Sequence, residues 1–162
     1  MPETTTTITN LAPFYQGWDR YQGLLVESVG SLTDEQLALR AAPHLNSVGM
    51  LAAHIIGTRV GWFQQLLGEL DPEIAALDPW DADDAPQRSA VELVHGLELT
   101  WNMIQDCLNM WTPAIFEQTI TTQRGSTRSF QWVIFHVLEH DMHHGGELAL
   151  TLGMHGLPTP DL

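Results

Sequence analysis

The amino-acid sequence predicts an all-α protein folded as a four-helix bundle with at least one crossover connection. Apolar residues return every three or four positions in four long segments, a spacing that places them on one face of a helix. Short polar residues stand at the start of three of these segments, where they can cap the free N–H groups of a first turn. A long acidic connection separates the second segment from the third, which predicts a crossover at that point.

The first helical pattern begins at Leu11. Its apolar positions follow steps of three and four and are Phe14, Trp18, Tyr21, Leu24, Leu25 and Val29. Gly30 and Ser31 interrupt the pattern, and residues 32–37 then predict a short capped turn of helix. The first long helix is therefore expected to end close to Val29.

The second and third helices both have clear N-terminal signals. The second begins near Asn46 or Ser47, which are good N-caps, and runs to Gly68. The third opens with a capping box formed by Ser89 and Glu92 and reaches roughly Trp111. Between these helices, residues 69–87 form an acidic, proline-containing connection that is longer than a tight link between antiparallel neighbours.

The fourth helix follows a segment that lacks helical signals. Residues 114–128 are rich in threonine and contain Gly125, which predicts an extended or hairpin-like loop. Ser129 then caps a helix that ends near Gly153. No internal repeat or domain boundary interrupts the pattern, so residues 1–162 are expected to form a single domain.

Charge and composition limit the classes of function. The formal net charge is −14, and the basic side chains other than histidine are six arginines. Because such a surface repels nucleic-acid phosphates and anionic lipid heads, we expect a small-molecule substrate and no nucleic-acid or membrane partner. The single Cys107 and the lack of an apparent signal peptide or membrane-crossing stretch predict a cytoplasmic protein. A homodimer is compatible with an exposed bundle face.

A row of histidines lies in the fourth predicted helix. His136, His140 and His144 repeat every four residues, so their side chains project from one helix face. Neutral imidazole nitrogen is a preferred ligand of zinc, nickel, copper and iron, and the row therefore predicts a site for a divalent transition metal. His140 and His144 lie nearest to the predicted buried stripe and are the first two candidate ligands.

A third ligand is expected from another helix, because two ligands from one helix rarely hold a catalytic ion. His54 is the best candidate, since small and apolar residues of the second helix surround it and would let a neighbouring helix approach. A histidine in such surroundings can also be a hydrogen-bonded core residue. The sequence leaves both interpretations open for His54.

Other polar residues near the row are interpreted as supporting groups. His136 is expected to orient a ligand imidazole, although a fourth ligand or a packed neighbour would fit the same position. Glu147 and His143 are further candidates for an orienting role, with an exposed helix carboxylate as the alternative for Glu147. No metal role is expected for the histidines of the loops, the exposed helix and the tail, which are His44, His95 and His155.

The spacing of His140 and His144 matches the HExxH motif of zinc metalloproteases only in part. Asp141 occupies the position of the glutamate that serves as general base in that motif. Asp141 and Glu147 are the carboxylates nearest in sequence, and neither is a convincing base. Metalloprotease chemistry therefore does not follow from the motif.

The histidine-bearing segment resembles that of the DinB/YfiT-like family of metal-dependent enzymes. The resemblance rests on His54 and on the run FHVLEHDMHHGGEL at residues 135–148, and with the helix order and long crossover it covers nearly the whole chain. It implies an up-down-down-up bundle with a three-histidine site for zinc or nickel. Carried over to this sequence, the ligands would be His54, His140 and His144. Many relatives have an arginine after the double histidine, where this chain has Gly145, so an anion contact from that arginine is not expected here.

The resemblance also implies a function. Characterised relatives include thiol S-transferases that use bacillithiol or mycothiol, and a thiol-dependent maleylpyruvate isomerase. The ion would activate a low-molecular-weight thiol for transfer to an electrophile, in detoxification or a stress response, because coordination favours deprotonated sulfur. Trp62, Trp80 and Trp132 would be pocket walls or core. Two alternatives remain: a metal-dependent hydrolase, and a non-catalytic metal-binding or regulatory bundle.

Overall fold

The structure, a computed structural model, describes residues 9–82 and 84–160. Most of the described backbone is helical, which confirms the prediction of an all-α protein. Among the described residues, no helix combines the length and apolar character needed to cross a bilayer. The described helices are α1 (Gln16–Gly30), α2 (Asp34–Leu37), α3 (Val48–Leu67), α4 (Pro72–Ala75), α5 (Ala90–Met110) and α6 (Phe130–Met154).

Three serines begin the last three long helices, as their positions in the sequence predict. Ser47 accepts a hydrogen bond from the backbone N–H of Met50, and Ser129 accepts one from that of Trp132. Ser89 forms a complete capping box with Glu92, because each side chain bonds to the backbone N–H of the other residue. These caps fix where α3, α5 and α6 start, and hence the register of the residues that each helix presents.

The first long helix starts later than predicted. Residues Ala12–Tyr15 form a 3-10 turn, and the α-helix begins only at Gln16. Leu11 is tied to the end of α5, since its backbone N–H donates to the carbonyl oxygens of Leu108 and Trp111, both at 3.0 Å. This anchorage, together with a proline in the first turn, holds the entry to α1 in a tighter conformation than an α-helix.

The segment before α6 contains the predicted hairpin. Strands β1 (Thr119–Thr121) and β2 (Thr127–Ser129) pair antiparallel, with Ile120 opposite Arg128. A 3-10 turn at Pro113–Glu117 precedes the hairpin, where the sequence pattern predicted an extended or hairpin-like loop from residue 114 onward. The hairpin ends at Ser129, so it leads directly into the cap of α6.

The long connection between α3 and α5 is folded onto α3. It contains α4 and a 3-10 turn at Asp78–Asp81 that packs against α3. Close packing requires Gly57, because a Cβ added there would lie 2.6 Å from the Cβ of Asp81. The missing side chain at position 57 therefore lets the turn bring Asp81 onto the surface of α3.

A buried ion pair between α3 and α6 lies at the centre of the protein. Arg59 and Asp141 are both fully buried, and Nη2 of the arginine donates to Oδ2 of the aspartate at 2.7 Å. Trp18 of α1 also donates to Oδ2, at 2.7 Å, while the arginine donates to the side chain of Gln22 and the carbonyl of Leu97. The network connects all four long helices, with apolar residues packed above and below it.

Candidate metal centre

The structure brings His54 of α3 together with His140 and His144 of α6. One candidate ligand atom from each residue lies within 4.8 Å of the other two. The two Nε2 atoms of His54 and His140 are 3.0 Å apart, and the His54 ring centroid is 4.5 Å from that of His144. Nitrogens bound to one tetrahedral zinc at about 2.05 Å would be roughly 3.3 Å apart, so the cluster has the dimensions of a metal site.

The pairing of α3 with α6 aligns their histidine faces. One turn after His54, the hydroxyl of Thr58 lies 3.2 Å from Nε2 of His140. A further turn on, the ring of Trp62 contacts that of His136 edge to face, at 5.3 Å between centroids. Because side chains four residues apart lie above one another on a helix, these contacts fix which residues of the two helices meet.

A carboxylate from the folded connection orients His54. Oδ1 of Asp81 lies 2.6 Å from Nδ1 of His54, a distance at which the ring N–H donates to the carboxylate. That tautomer leaves the lone pair of Nε2 facing the cluster, as in carboxylate–histidine–zinc arrangements. The sequence pattern assigned no role to Asp81, and nothing in the acidic connection distinguishes it from its neighbours until the connection is folded.

A second carboxylate orients His144. Oε2 of Glu147 lies 2.7 Å from Nδ1 of His144, one turn earlier on the same helix. Glu147 is itself exposed, and its contact with Nδ1 leaves Nε2 of His144 available. Two of the three imidazoles are thus fixed by carboxylates from outside the cluster.

The environment favours the neutral, metal-binding form of the histidines. Burial, reinforced by the charges of neighbouring histidines, lowers the pKa of His140 to about 3. Burial also lowers the pKa of His144, although Glu147 opposes that shift. His140 additionally has a buried Nδ1 with no hydrogen-bond partner among the described residues. Neutral imidazoles suit a divalent cation, because only the deprotonated ring nitrogen can bind one.

His136 and His143 lie outside this cluster. The ring of His136 stacks on Trp132 at 4.7 Å between centroids, and its Nδ1 is 3.9 Å from the carboxylate of Glu139. His143 is largely exposed and lies 3.5 Å from Glu147. With His144 and Glu147 it forms a second, more exposed group that could hold an ion. Neither residue hydrogen-bonds a histidine of the three-residue cluster within the described part of the chain.

Asp141 is separated from the cluster despite following His140 in sequence. Its carboxylate points into the bundle centre and pairs with Arg59, with no exposed surface. A carboxylate held by an arginine and a tryptophan N–H is stabilised as the anion and shielded from solvent. The structure therefore assigns Asp141 to the core of the bundle.

A cavity of about 440 Å³ lies on the Asp81 side of His54, and none of the three clustered histidines is among its lining residues. Asp81, which bonds to His54, lies in its wall together with Ala53, Trp80 and two arginines, Arg40 and Arg88. Of the three tryptophans considered as walls, Trp80 lines this cavity. Trp62 and Trp132 instead pack edge to face against one another beside His136. The volume suits a ligand of metabolite size.

The sequence profile of the DinB superfamily matches residues 14–148, a span that includes all three clustered histidines. The chain belongs to the DinB superfamily. A solved structure described as that of a DinB-like protein from Bacillus cereus is similar in fold, with a TM-score of 0.74 at 18% sequence identity. The similarity covers 96% of this chain and 99% of that chain. No curated protein matches the sequence. Family and histidine cluster together support a metal-binding DinB-like protein.

The glycine after the double histidine has a structural cause in this chain. A Cβ added at Gly145 would lie 1.9 Å from the hydroxyl oxygen of Tyr21, well inside contact distance. That hydroxyl donates to the carbonyl oxygen of Asp141 at 3.1 Å, and so it cannot move without losing a buried bond. An arginine at position 145 is incompatible with this packing of α1 on α6.

Replacing Gly145 with alanine is therefore expected to lower the free energy of unfolding by about 1–3 kcal/mol through overpacking. Gly146 is the matched control, because nothing lies within 4 Å of a Cβ at that position. Gly146→Ala should stabilise the helix by up to about 1 kcal/mol. Urea unfolding of both variants measures the difference, and equal stability would contradict the Tyr21 packing.

Proposed function

We propose that this protein is a metal-dependent enzyme that transfers a low-molecular-weight thiol to an electrophile. The proposed ligands are His54, His140 and His144, and the ion is zinc or nickel. The observation that supports this best is the convergence of three imidazoles from two helices, two of them oriented by carboxylates. Three histidine ligands leave a coordination position for a substrate or water, which is typical of catalytic rather than structural sites.

The surroundings of the cluster favour a catalytic role over a purely structural one. The side chain of His54 retains 29% of its exposed area and that of His144 retains 18%, so small molecules can approach. A cavity of about 440 Å³ lies on the other side of Asp81, the residue that orients His54. A site that only stabilised the fold would be closed by protein atoms.

The carboxylates near the cluster favour thiol transfer over hydrolysis. Asp81 and Glu147 each hold a histidine ring, and Asp141 is paired with Arg59, which leaves none of the three free to act as the base for water. A bound divalent cation would supply the charge that stabilises a thiolate at neutral pH. The thiol has to come from solution, because burial raises the pKa of Cys107 to about 11.

The arrangement of the chain that we propose is one domain with up-down-down-up helices and a crossover between α3 and α5. Three pairs of contacts support it. Asp19 meets Trp101 whereas Gln22 meets Leu97, as expected if α1 and α5 run in opposite directions. His54 meets His144 whereas Trp62 meets Trp132, as expected if α3 and α6 also do so. In the third pair, Ile56 meets Gly96 and Arg59 meets Thr100, as expected if α3 and α5 run in parallel.

We further propose a cytoplasmic protein with a small-molecule substrate, as a monomer or homodimer.

The experiment that tests this function uses protein loaded with zinc or nickel and a chlorodinitroarene as the electrophile. Cysteine, glutathione, bacillithiol and mycothiol are supplied in turn, and release of chloride and formation of the thioether are followed by absorbance and mass spectrometry. At least one thiol should react about 100-fold faster than with metal-free protein, a modest acceleration for an enzyme.

Two controls define the outcomes. His144→Ala should lose the acceleration, whereas the nearby exposed His143→Ala should keep it. If no thiol is accelerated, thiol transfer is rejected. Metal-dependent cleavage of an ester by the same preparation would identify a hydrolase, and tight metal binding without either activity would identify a non-catalytic protein.

A further inference from the structure

We infer that the cavity lined by Asp81, the residue that orients His54, binds the carboxylate of a small anionic substrate through Arg40 and Arg88. This inference rests on the proposed function, because it names the class of molecule that the centre would act on. The chain carries six arginines against twenty acidic residues. Two of those six nevertheless line one cavity, and the wall that they share includes the residue that orients His54.

Arg88 is held rigidly in this wall. Its guanidinium carbon lies 4.6 Å from the centroid of the Trp80 ring, and three-quarters of the side chain is buried, with 26% left exposed. A guanidinium fixed on an aromatic face loses little freedom when it binds an anion, and its planar fork matches a carboxylate. Trp80 belongs to the same 3-10 turn as Asp81, so the turn that orients His54 also positions Arg88.

The positive charge of Arg88 is only partly balanced by protein. Its one described ion pair is with Oε1 of Glu92, at 3.3 Å. The other oxygen of Glu92 accepts hydrogen bonds from the backbone and hydroxyl of Ser89, so this carboxylate is shared with the helix cap. Because Glu92 is shared between the helix cap and Arg88, the guanidinium of Arg88 can still pair with an incoming anion.

Arg40 faces the same cavity without a described carboxylate. Its guanidinium donates to the carbonyl oxygen of Leu45 and to the sulfur of Met50, which are both uncharged. The protein has a net charge of −14, and no carboxylate of the described residues neutralises Arg40. Together the two arginines make this cavity a local positive region on an acidic protein.

A carboxylate suits these groups, because a guanidinium presents planar N–H donors that match its two oxygens. The cavity has room for a small organic acid.

The test measures binding of succinate to the zinc-loaded protein by calorimetry, with succinamide as the uncharged match and inorganic phosphate as a second anion. Arg40→Gln and Arg88→Gln should each weaken succinate binding at least tenfold, roughly the contribution of one charged hydrogen-bonded contact. Arg128→Gln is the matched control. It removes the same charge from an arginine that lies over a tryptophan ring, at 4.8 Å from Trp132, and binding should change less than about twofold.

The outcomes separate this inference from the proposed function. The His144→Ala variant, deficient in metal, should still bind succinate in an arginine-dependent way. Loss of binding in that variant would place the carboxylate on the ion and overturn the inference. Equal binding of succinate and succinamide, phosphate binding alone, or unchanged affinity in both arginine variants would overturn it as well. In each case metal content and thiol transfer are measured independently, so the proposed function would stand or fall on its own data.

Discussion

Replacing Asp141 with asparagine is expected to lower the free energy of unfolding of the metal-free protein by about 3–5 kcal/mol. The substitution leaves Arg59 charged and fully buried without its partner, at the point where all four long helices meet. An unpaired buried charge costs far more than the loss of a surface ion pair. Urea unfolding followed by tryptophan fluorescence measures the change.

Two further variants serve as controls for the expected loss of stability. Asp106→Asn makes the same chemical change at an exposed position of α5, and it should alter stability by less than about 0.5 kcal/mol. The double variant Arg59→Met with Asp141→Leu removes both charges and should recover part of the lost stability, because no buried charge remains. A loss below about 1 kcal/mol for Asp141→Asn would show that the pair is not buried as described.

Replacing any one of His54, His140 and His144 with alanine is expected to abolish stoichiometric metal binding. Each of the three supplies one of only three proposed protein ligands, and the two that remain cannot hold a catalytic ion tightly. The helical bundle should persist in the metal-free variants, since the core does not depend on these rings. Elemental analysis of purified protein measures the metal, and circular dichroism measures the helix content.

Variants of the surrounding residues should show a graded effect. Asp81→Asn keeps the ligands but weakens the orientation of His54, and a loss of this kind typically lowers metal affinity 10–100-fold. His143→Ala removes an exposed histidine of the same helix and should leave metal content unchanged. If His143→Ala lost the ion while His54→Ala retained it, the ion would belong to the exposed group of His143, His144 and Glu147.

The starts of the long helices could be predicted from the sequence because their signals are local. Ser47, Ser89 and Ser129 act through hydrogen bonds to residues three positions later, and such short-range contacts are visible as sequence patterns. The pairing of His140 with His144 on one helix face could be predicted for the same reason, because it depends only on their spacing of four residues. The start of α1 was predicted too early because Leu11 bonds to the distant end of α5.

The parts of the site that could not be predicted depend on contacts between distant segments. Arg59 and Asp141 are 82 positions apart, and no periodicity indicates that they pair. Asp81 reaches His54 only because the connection folds onto α3 at Gly57, a position that reads in sequence as an ordinary helical glycine. The small and apolar residues around His54 made it the best candidate for a third ligand, and the family resemblance pointed to the same residue.

The most direct test of the proposed metal centre is a crystal of the protein purified without added metal, with anomalous scattering recorded at the zinc and nickel edges. We expect one anomalous peak, about 2.0–2.2 Å from a ring nitrogen of each of His54, His140 and His144. No peak among the three rings, or a peak bound by His143 and Glu147 instead, would contradict the account.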